Sequence, residues 1–392
     1  VSTGDSRATQ PIASGQRAAG LASAITSVSI VGIGLSLTMT LLSVRLAEQG
    51  YSARAIGLNP AAGGIATLAG AAFVPVIARR LGIKPLLFLA LLGSGLSLAA
   101  FAATENYWSW LIIRGVFSLT LTVLFIMSEY WINTAAPPER RGLVLGLYTT
   151  SLAGGFAAGP AILAAVGTAG LAPFIAGLLL FAAAAVPILI GSSAIPDIKA
   201  APKAPVLIFL TAAPVATLAG LLHGAIETAS LGLLPVYALQ AGLLPETGAL
   251  LVTLFALGNV AFQVPIGHLS DRMDRSKLLL ALAALGFCGS IALALVAHWS
   301  FTLFAALLVI WGGVVGALYA VGLAHLGARY QGTELASANA AFIMLYSLGM
   351  LLGPPIIGLG QDLVIPDGFF LSIAFLLALY LVVVIWRRRR HA

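Results

Sequence analysis

The stretch Gly267-His268-Leu269-Ser270-Asp271-Arg272-Met273-Asp274-Arg275-Ser276-Lys277 decides how the chain is read. It is short and charged, and it separates two long apolar runs, one ending near Ser270 and the next starting near Leu278. Only 8% of the chain is charged, so Asp271, Arg272, Asp274, Arg275 and Lys277 together mark a water-exposed turn. The plain reading is a cytoplasmic turn between two membrane helices, because basic residues are retained on the inner side of a bilayer.

The composition around this turn supports that reading. Of the 392 residues, 60% are hydrophobic, and the mean hydropathy is +1.04. A bilayer span needs about 20 apolar residues in a row, and the chain offers such runs repeatedly. Without water in the hydrocarbon, every backbone polar group must be satisfied within the span, which leaves helices or closed barrels. The runs are continuously apolar rather than alternating, which excludes barrel strands. The net charge of +7 follows from the positive-inside rule rather than from nucleic-acid binding. The single cysteine, Cys288, excludes an internal disulfide and a cysteine-based metal site.

The hydropathy pattern predicts twelve spans, over 18–46, 54–80, 84–104, 107–134, 142–168, 171–193, 206–240, 246–270, 277–297, 300–328, 334–361 and 367–386. With the N-terminus in the cytoplasm, the inner segments hold all of the 20 Lys plus Arg except Arg45, Arg54 and Arg114. The opposite loops carry Glu48, Glu105, Glu246, Asp362 and Asp367. This asymmetry places both termini in the cytoplasm. The expected organisation is a polar tail over 1–17, without a cleavable signal peptide, and a six-helix bundle over 18–193. A cytoplasmic linker over 194–205, a second six-helix bundle over 206–386 and a basic tail over 387–392 follow. The basic tail is suited to anionic lipid.

The two halves repeat. Val74-Pro75 before Arg79-Arg80 matches Val264-Pro265 before Asp271-Arg272, and Gly155-x-x-x-Gly159-Pro160 recurs as Gly349-x-x-x-Gly353-Pro354. The offsets are 190 for the Val-Pro pairs, 192 from Arg80 to Arg272 and 194 for the glycine motifs. Near-equal offsets are the mark of a parallel repeat.

The pattern of Gly267, three residues, Asp271-Arg272, two residues and Arg275 resembles the signature loop of the major facilitator superfamily. With the repeat and the span count, the whole chain resembles a twelve-helix transporter of that family, in a bacterial branch of members with unassigned substrates. Arg114-Gly115 resembles the family's fourth-helix arginine, which implies a link to proton coupling. Ser128-Glu129-Tyr130-Trp131 with Arg141-Gly142 and Leu147-Tyr148, Leu234-Pro235-Val236-Tyr237, and Ala338-Asn339-Ala340 through Tyr346 resemble the branch's own signatures. The resemblance implies an all-α integral membrane fold of two pseudo-symmetric bundles. It also implies a cytoplasmic gate of Asp271, Arg272, Arg275, Arg79, Arg80 and Arg141 that latches the halves. Arg79 stands where the family usually has Asp, so the latch rests on Asp271. The Gly155 motif resembles the antiporter signature but lacks its trailing glycine pair (Leu163, Ala164), and its copy at Gly349 suits simple helix packing.

Charges inside a bilayer cost about 2.5–3.5 kcal/mol each on insertion scales, so each is a functional candidate. Arg114, Glu129, His223 and Glu227 qualify. Arg45 is a fifth, and can share a site with Arg114 or snorkel to the interface. His223 and Glu227 are four apart and share one helix face, as a proton or substrate site or as a packing hydrogen bond. Glu129 lies fifteen residues from Arg114, roughly 22 Å along one helix, which places it at the inner gate near Arg140 or Arg141. Arg114 suits an anionic substrate or a carboxylate of a neighbouring helix. Asn259, Gln263, Trp311, Tyr319, Asn339 and Tyr346 are candidates for the cavity lining, with packing as the alternative for each aromatic.

These residues predict a secondary active transporter of the inner (plasma) membrane of a bacterium, not an enzyme. It is expected to move a small molecule by alternating access with protons, as a monomer in lipid, without nucleic acid. Its energy source is the proton gradient, with no cofactor, and export is slightly favoured. No Gly-x-x-x-x-Gly-Lys-Ser/Thr loop for ATP is present. One alternative is a metal-ion or nutrient importer of the same fold, although no Met-x-x-x-Met pair occurs. Another is a non-transporting receptor or assembly factor, for which the buried charges would be dispensable.

Overall fold

The computed structural model describes residues 14–137, 141–196, 214–330 and 332–391. Twelve long helices appear among them: α1 (Ser14–Glu48), α2 (Ala53–Leu81), α3 (Ile83–Ala103), α4 (Tyr107–Ala135), α5 (Arg141–Val166), α6 (Ala172–Ile190), α7 (Pro214–Gln240), α8 (Pro245–Arg272), α9 (Arg275–Val296), α10 (Phe301–Arg329), α11 (Gly332–Leu363) and α12 (Gly368–His391). Their borders follow the predicted spans closely. Of the expected tail over 1–17, residues 1–13 lie outside the described residues, as do 197–205 of the expected linker over 194–205 and 206–213 of the seventh predicted span. Among the described residues, eleven of the helices have the length and composition to cross a bilayer. The twelfth, α2, carries the uncharged apolar run 61–78 and packs Gly57 and Gly64 on α11 and Gly63 on Arg114 and Ser118 of α4.

Local chemistry sets the ends of the helices. Ser52, Asn106, Asp274 and Ser300 each accept a hydrogen bond from a first-turn backbone N–H of α2, α4, α9 and α10, which satisfies donors the helix cannot pair itself. The turn at Asp274 corrects the expected loop. α8 runs on through Asp271 to Arg272, and α9 starts at Arg275, so only Met273 and Asp274 are non-helical. α8 closes at Met273, whose N–H bonds Leu269 O, and Asp274 starts α9 by accepting from Lys277 N at 2.8 Å.

The helices pack in matching sets. α1 contacts α5, α6 and α4, as α7 contacts α11, α12 and α10; α4 contacts α2 and α3, as α10 contacts α8 and α9. Between the halves, α2 meets α11 and α5 meets α8, with α1 on α7. Each α4-like helix has two faces. In α4, Trp108, Ile112, Val116 and Leu119 are exposed, at the spacing of one stripe, while Trp110, Arg114, Phe117 and Leu121 are buried. Such an apolar exposed stripe suits lipid.

The repeated glycines explain the closest contacts. A Cβ on Gly155 would lie 2.6 Å from Ser29 O, and one on Gly159 would lie 2.5 Å from Ile33 O, so α5 rests directly on the α1 backbone. In the second half Gly349 and Gly353 meet Leu221 O and Ala225 Cα of α7 in the same way. Lipid tails are as apolar as leucine, so helices in a membrane associate through such close packing rather than through expulsion of water. Both copies of the motif therefore work as helix contacts.

Short turns alternate the direction of the helices, which defines two ends. The end bearing the α2–α3 and α8–α9 turns is called the basic end here, and the end bearing the α1–α2, α7–α8 and α11–α12 turns the acidic end.

Candidate functional site

Halfway along α7, His223 and Glu227 occupy one face, four residues apart. His223 Nε2 lies 3.5 Å from Glu227 Oε2, and the Glu227 side chain is 17% exposed. Tyr346 of α11 donates its hydroxyl hydrogen to the same Oε2 at 2.6 Å. The other imidazole nitrogen, His223 Nδ1, is 3.3 Å from Val315 O of α10. A carbonyl oxygen only accepts, so Nδ1 carries the hydrogen. Nε2 and the Glu227 carboxyl then face each other as two acceptors unless one proton sits on either of them. Tyr346 stacks on the His223 ring at 6.0 Å between centroids and Tyr319 leans on it at 5.4 Å. Four sequence candidates, His223, Glu227, Tyr319 and Tyr346, thus form one cluster from α7, α10 and α11.

The first half contributes a second carboxyl. Tyr148 of α5 donates to Glu129 Oε1 at 2.7 Å, and Glu129 is exposed near the basic end of α4. Glu129 was expected beside Arg140 or Arg141. Arg140 and the Arg141 side chain lie outside the described residues, and the hydroxyl of Tyr148 is the partner that the structure shows. In the sequence Tyr148 stands only in a family signature, and its pairing with Glu129 of the preceding helix follows no helical period.

A cavity of about 30 Å3 lies between the halves, lined by Ala153, Phe156, Glu227, Leu231, Phe255 and Asn259. This is room for about one water molecule, and Glu227, which keeps 17% of its side chain exposed, stands in its wall. Asn259 reaches it, and packs over Gly316 of α10. Gln263 lies one turn further along α8 and is half-buried. Trp311 is fully buried, and its Nε1 donates to Gly286 O at 3.1 Å and to Ser290 Oγ at 3.0 Å of α9. It packs behind Phe255 rather than on the cavity. The Asn339 side chain lies outside the described residues.

Arg114 is 5% exposed. Its guanidinium sits 5.7 Å from the Phe117 ring centroid and against Gly63, whose missing side chain makes the space. Its Nε and Nη1 are buried with no acceptor, so the expected carboxylate from a neighbouring helix is not found among the described residues. Asn59 Nδ2, one turn before Gly63 on α2, is likewise a buried donor without a partner. Asn59 was missed in the sequence, where a polar residue in a span was the available signal. Arg45 is not joined to Arg114. Its Nη2 donates to Gly170 O at 2.7 Å in the α5–α6 turn, beside a cavity of about 180 Å3 with Gln49, Glu105 and Trp110 at the acidic end.

At the basic end, Arg79, Arg80 and Arg272 are exposed. Asp271, whose side chain is 74% exposed, lies 3.4 Å from Arg275 Nη2 of its own hairpin. The Asp271 contact seen in this conformation is therefore within one half.

Two six-helix bundles, with His223 buried and Glu227 in the wall of the cavity where they meet, define a membrane transporter rather than an enzyme. The sequence pattern of the Major Facilitator Superfamily matches residues 24–243 and 216–392. The chain belongs to that family. It is 27% identical over 337 residues to the uncharacterized MFS-type transporter YfkF of Bacillus subtilis, covering 83% of this chain and 85% of that one. Its fold resembles that of a bacterial homologue of the human lysosomal transporter Spinster in an inward-facing, unoccupied conformation, with a TM-score of 0.71 and 13% identity over 94% and 95% of the two chains. A D-xylose–proton symporter superposes with a TM-score of 0.68 and 15% identity over 93% and 96%.

Proposed function

We propose that the protein is a proton-coupled secondary transporter of a small molecule, with the proton held between His223 and Glu227. The carrying observation is the arrangement around Glu227 Oε2, which faces His223 Nε2 and accepts from Tyr346. One proton satisfies this pair, and its loss or gain changes the charge at the wall of the cavity between the halves. In a fold that works by rocking one bundle against the other around a central site, that change alternates access of the same carboxyl. The proton symporter of similar fold is compatible with this use, although its likeness concerns the fold. The Lys and Arg asymmetry supports a cytoplasmic basic end, with both termini on that side of a bacterial inner membrane. Export is the proposed direction, on the resemblance of the Gly155 motif to the antiporter signature.

The test is a thermal-shift screen of the purified protein with organic cations, organic anions, amino-acid derivatives and sugars, each at an acidic and an alkaline pH. A ligand that binds the folded state raises the melting temperature by mass action. The expected result is a pH-dependent hit that weakens in Glu227→Gln. A hit that is equally strong at both pH values and in Glu227→Gln would contradict the role of this pair.

A further inference from the structure

The acidic end holds a contact that joins the two halves by a carboxylate on a helix N-terminus. Asp362 stands in the last turn of α11, in the second half. Its Oδ1 accepts from Ala53 N at 2.7 Å and its Oδ2 from Arg54 N at 2.8 Å, the first two backbone donors of α2 in the first half. Ser52 Oγ takes the next donor, Ala55 N. The first turn of α2 is thus satisfied partly from within its own half and partly by its partner. A carboxylate is also favoured there by the positive end of the helix dipole, and bonds to an ionised acceptor are the stronger kind.

The helices beneath Asp362 are fitted to one another. A Cβ on Gly358 would lie 2.5 Å from Ala53 O, one on Gly57 would lie 2.5 Å from Pro354 O, and one on Gly64 would lie 3.3 Å from Leu351 Cα. Nearby, Thr40 of α1 donates to Leu231 O of α7 at 3.4 Å. All the hydrogen bonds between the halves whose two partners are both described lie in this acidic half of the molecule. Asp271, by contrast, pairs within its own hairpin at the basic end.

We infer that Asp362 is the clasp of the gate at the acidic end, closing the central site on that side by capping α2 of the opposite half. Opening that end separates α2 from α11, so both bonds break together and the N-terminus of α2 passes to water. The clasp therefore biases the equilibrium toward the state closed at the acidic end. Its residue pair follows from backbone donors rather than from an opposing basic side chain, so a search for complementary charges does not find it. The inference rests on the alternating-access reading, but it predicts its own signal.

The experiment measures distances between spin labels by pulsed electron resonance in the full-length protein with Cys288→Ser. One label pair spans the halves at the acidic end, at Glu48→Cys and Leu244→Cys; a second spans the basic end, at Leu81→Cys and Met273→Cys. All four positions are exposed. Asp362→Ala is expected to raise the ratio of long to short distances at the acidic end about tenfold, the effect of losing two charge-assisted bonds in a half-exposed place. Ala53→Pro is a second route to the same result. Ser52 already has φ −65 and ψ 155, which suits a residue before proline, and proline is tolerated at the first helical position while removing one donor. A smaller shift in the same direction is expected for it. An acidic-end distribution unchanged in both variants, with both proteins eluting and melting as folded protein, overturns the clasp. Widening at the acidic end without narrowing at the basic end keeps the clasp and contradicts alternating access instead.

Discussion

Tyr346 on α11 donates to Glu227 Oε2 on α7 at 2.6 Å, and the same oxygen faces His223 Nε2. Tyr346→Phe removes only that hydroxyl. A hydrogen bond to a charged group contributes about 1.5–3 kcal/mol, so the variant is expected to melt at a lower temperature where Glu227 is ionised. In the Glu227→Gln background the further loss should be smaller. A thermal double-mutant cycle reads the difference, and additive losses would separate the two residues.

Gly353→Leu and Gly159→Leu each place a side chain into the backbone of α7 or α1. Overpacking of this kind costs about 1–3 kcal/mol or more where nothing can yield. Gly154 has nothing within 4 Å of its Cβ direction, so Gly154→Ala should be neutral or stabilising by about 0.5–1 kcal/mol through helix propensity. Yield of monodisperse protein and melting temperature distinguish them. Equal tolerance at all three positions would remove the packing role from the motif.

Trp311→Phe keeps an aromatic ring near Phe255 and Phe370 but removes the second ring of the indole with its donor to Gly286 O and Ser290 Oγ. A loss of about 1 kcal/mol for the neutral hydrogen bonding, plus the cost of the cavity left at a buried site, is expected, with ligand affinity unchanged. A change in affinity with no change in melting temperature would return Trp311 to the cavity wall.

Asp271→Asn touches a pair that is mostly exposed. Such pairs contribute about 0–1 kcal/mol, so the melting temperature should move little. A large drop would mean that Asp271 has a buried partner in the folded protein.

The fold was legible because apolar runs and the Lys and Arg asymmetry are written residue by residue. The twelve spans and the α1–α5 and α7–α11 correspondence followed from hydropathy and from the glycine offsets. The turn at Asp274 was less legible, because a charged helix end and a charged loop have the same composition. At the site, His223 and Glu227 were found by helical spacing, and Tyr346 and Tyr319 as polar aromatics in cavity helices. Tyr148 beside Glu129 and Asp362 on Ala53 were not found, since both depend on helices meeting across more distance in the sequence than any period reports. Arg45 and Arg114 were grouped by charge alone, and the structure gives them separate surroundings.

The most direct test of the central claim uses proteoliposomes with a pH-sensitive dye inside and a ligand identified by thermal shift outside. Addition of the ligand should move protons in the wild-type protein and not in Glu227→Gln, with His223→Gln reduced between the two. Ligand flux without any proton signal, or proton movement intact in Glu227→Gln, would contradict the assignment of the proton to the His223–Glu227 pair.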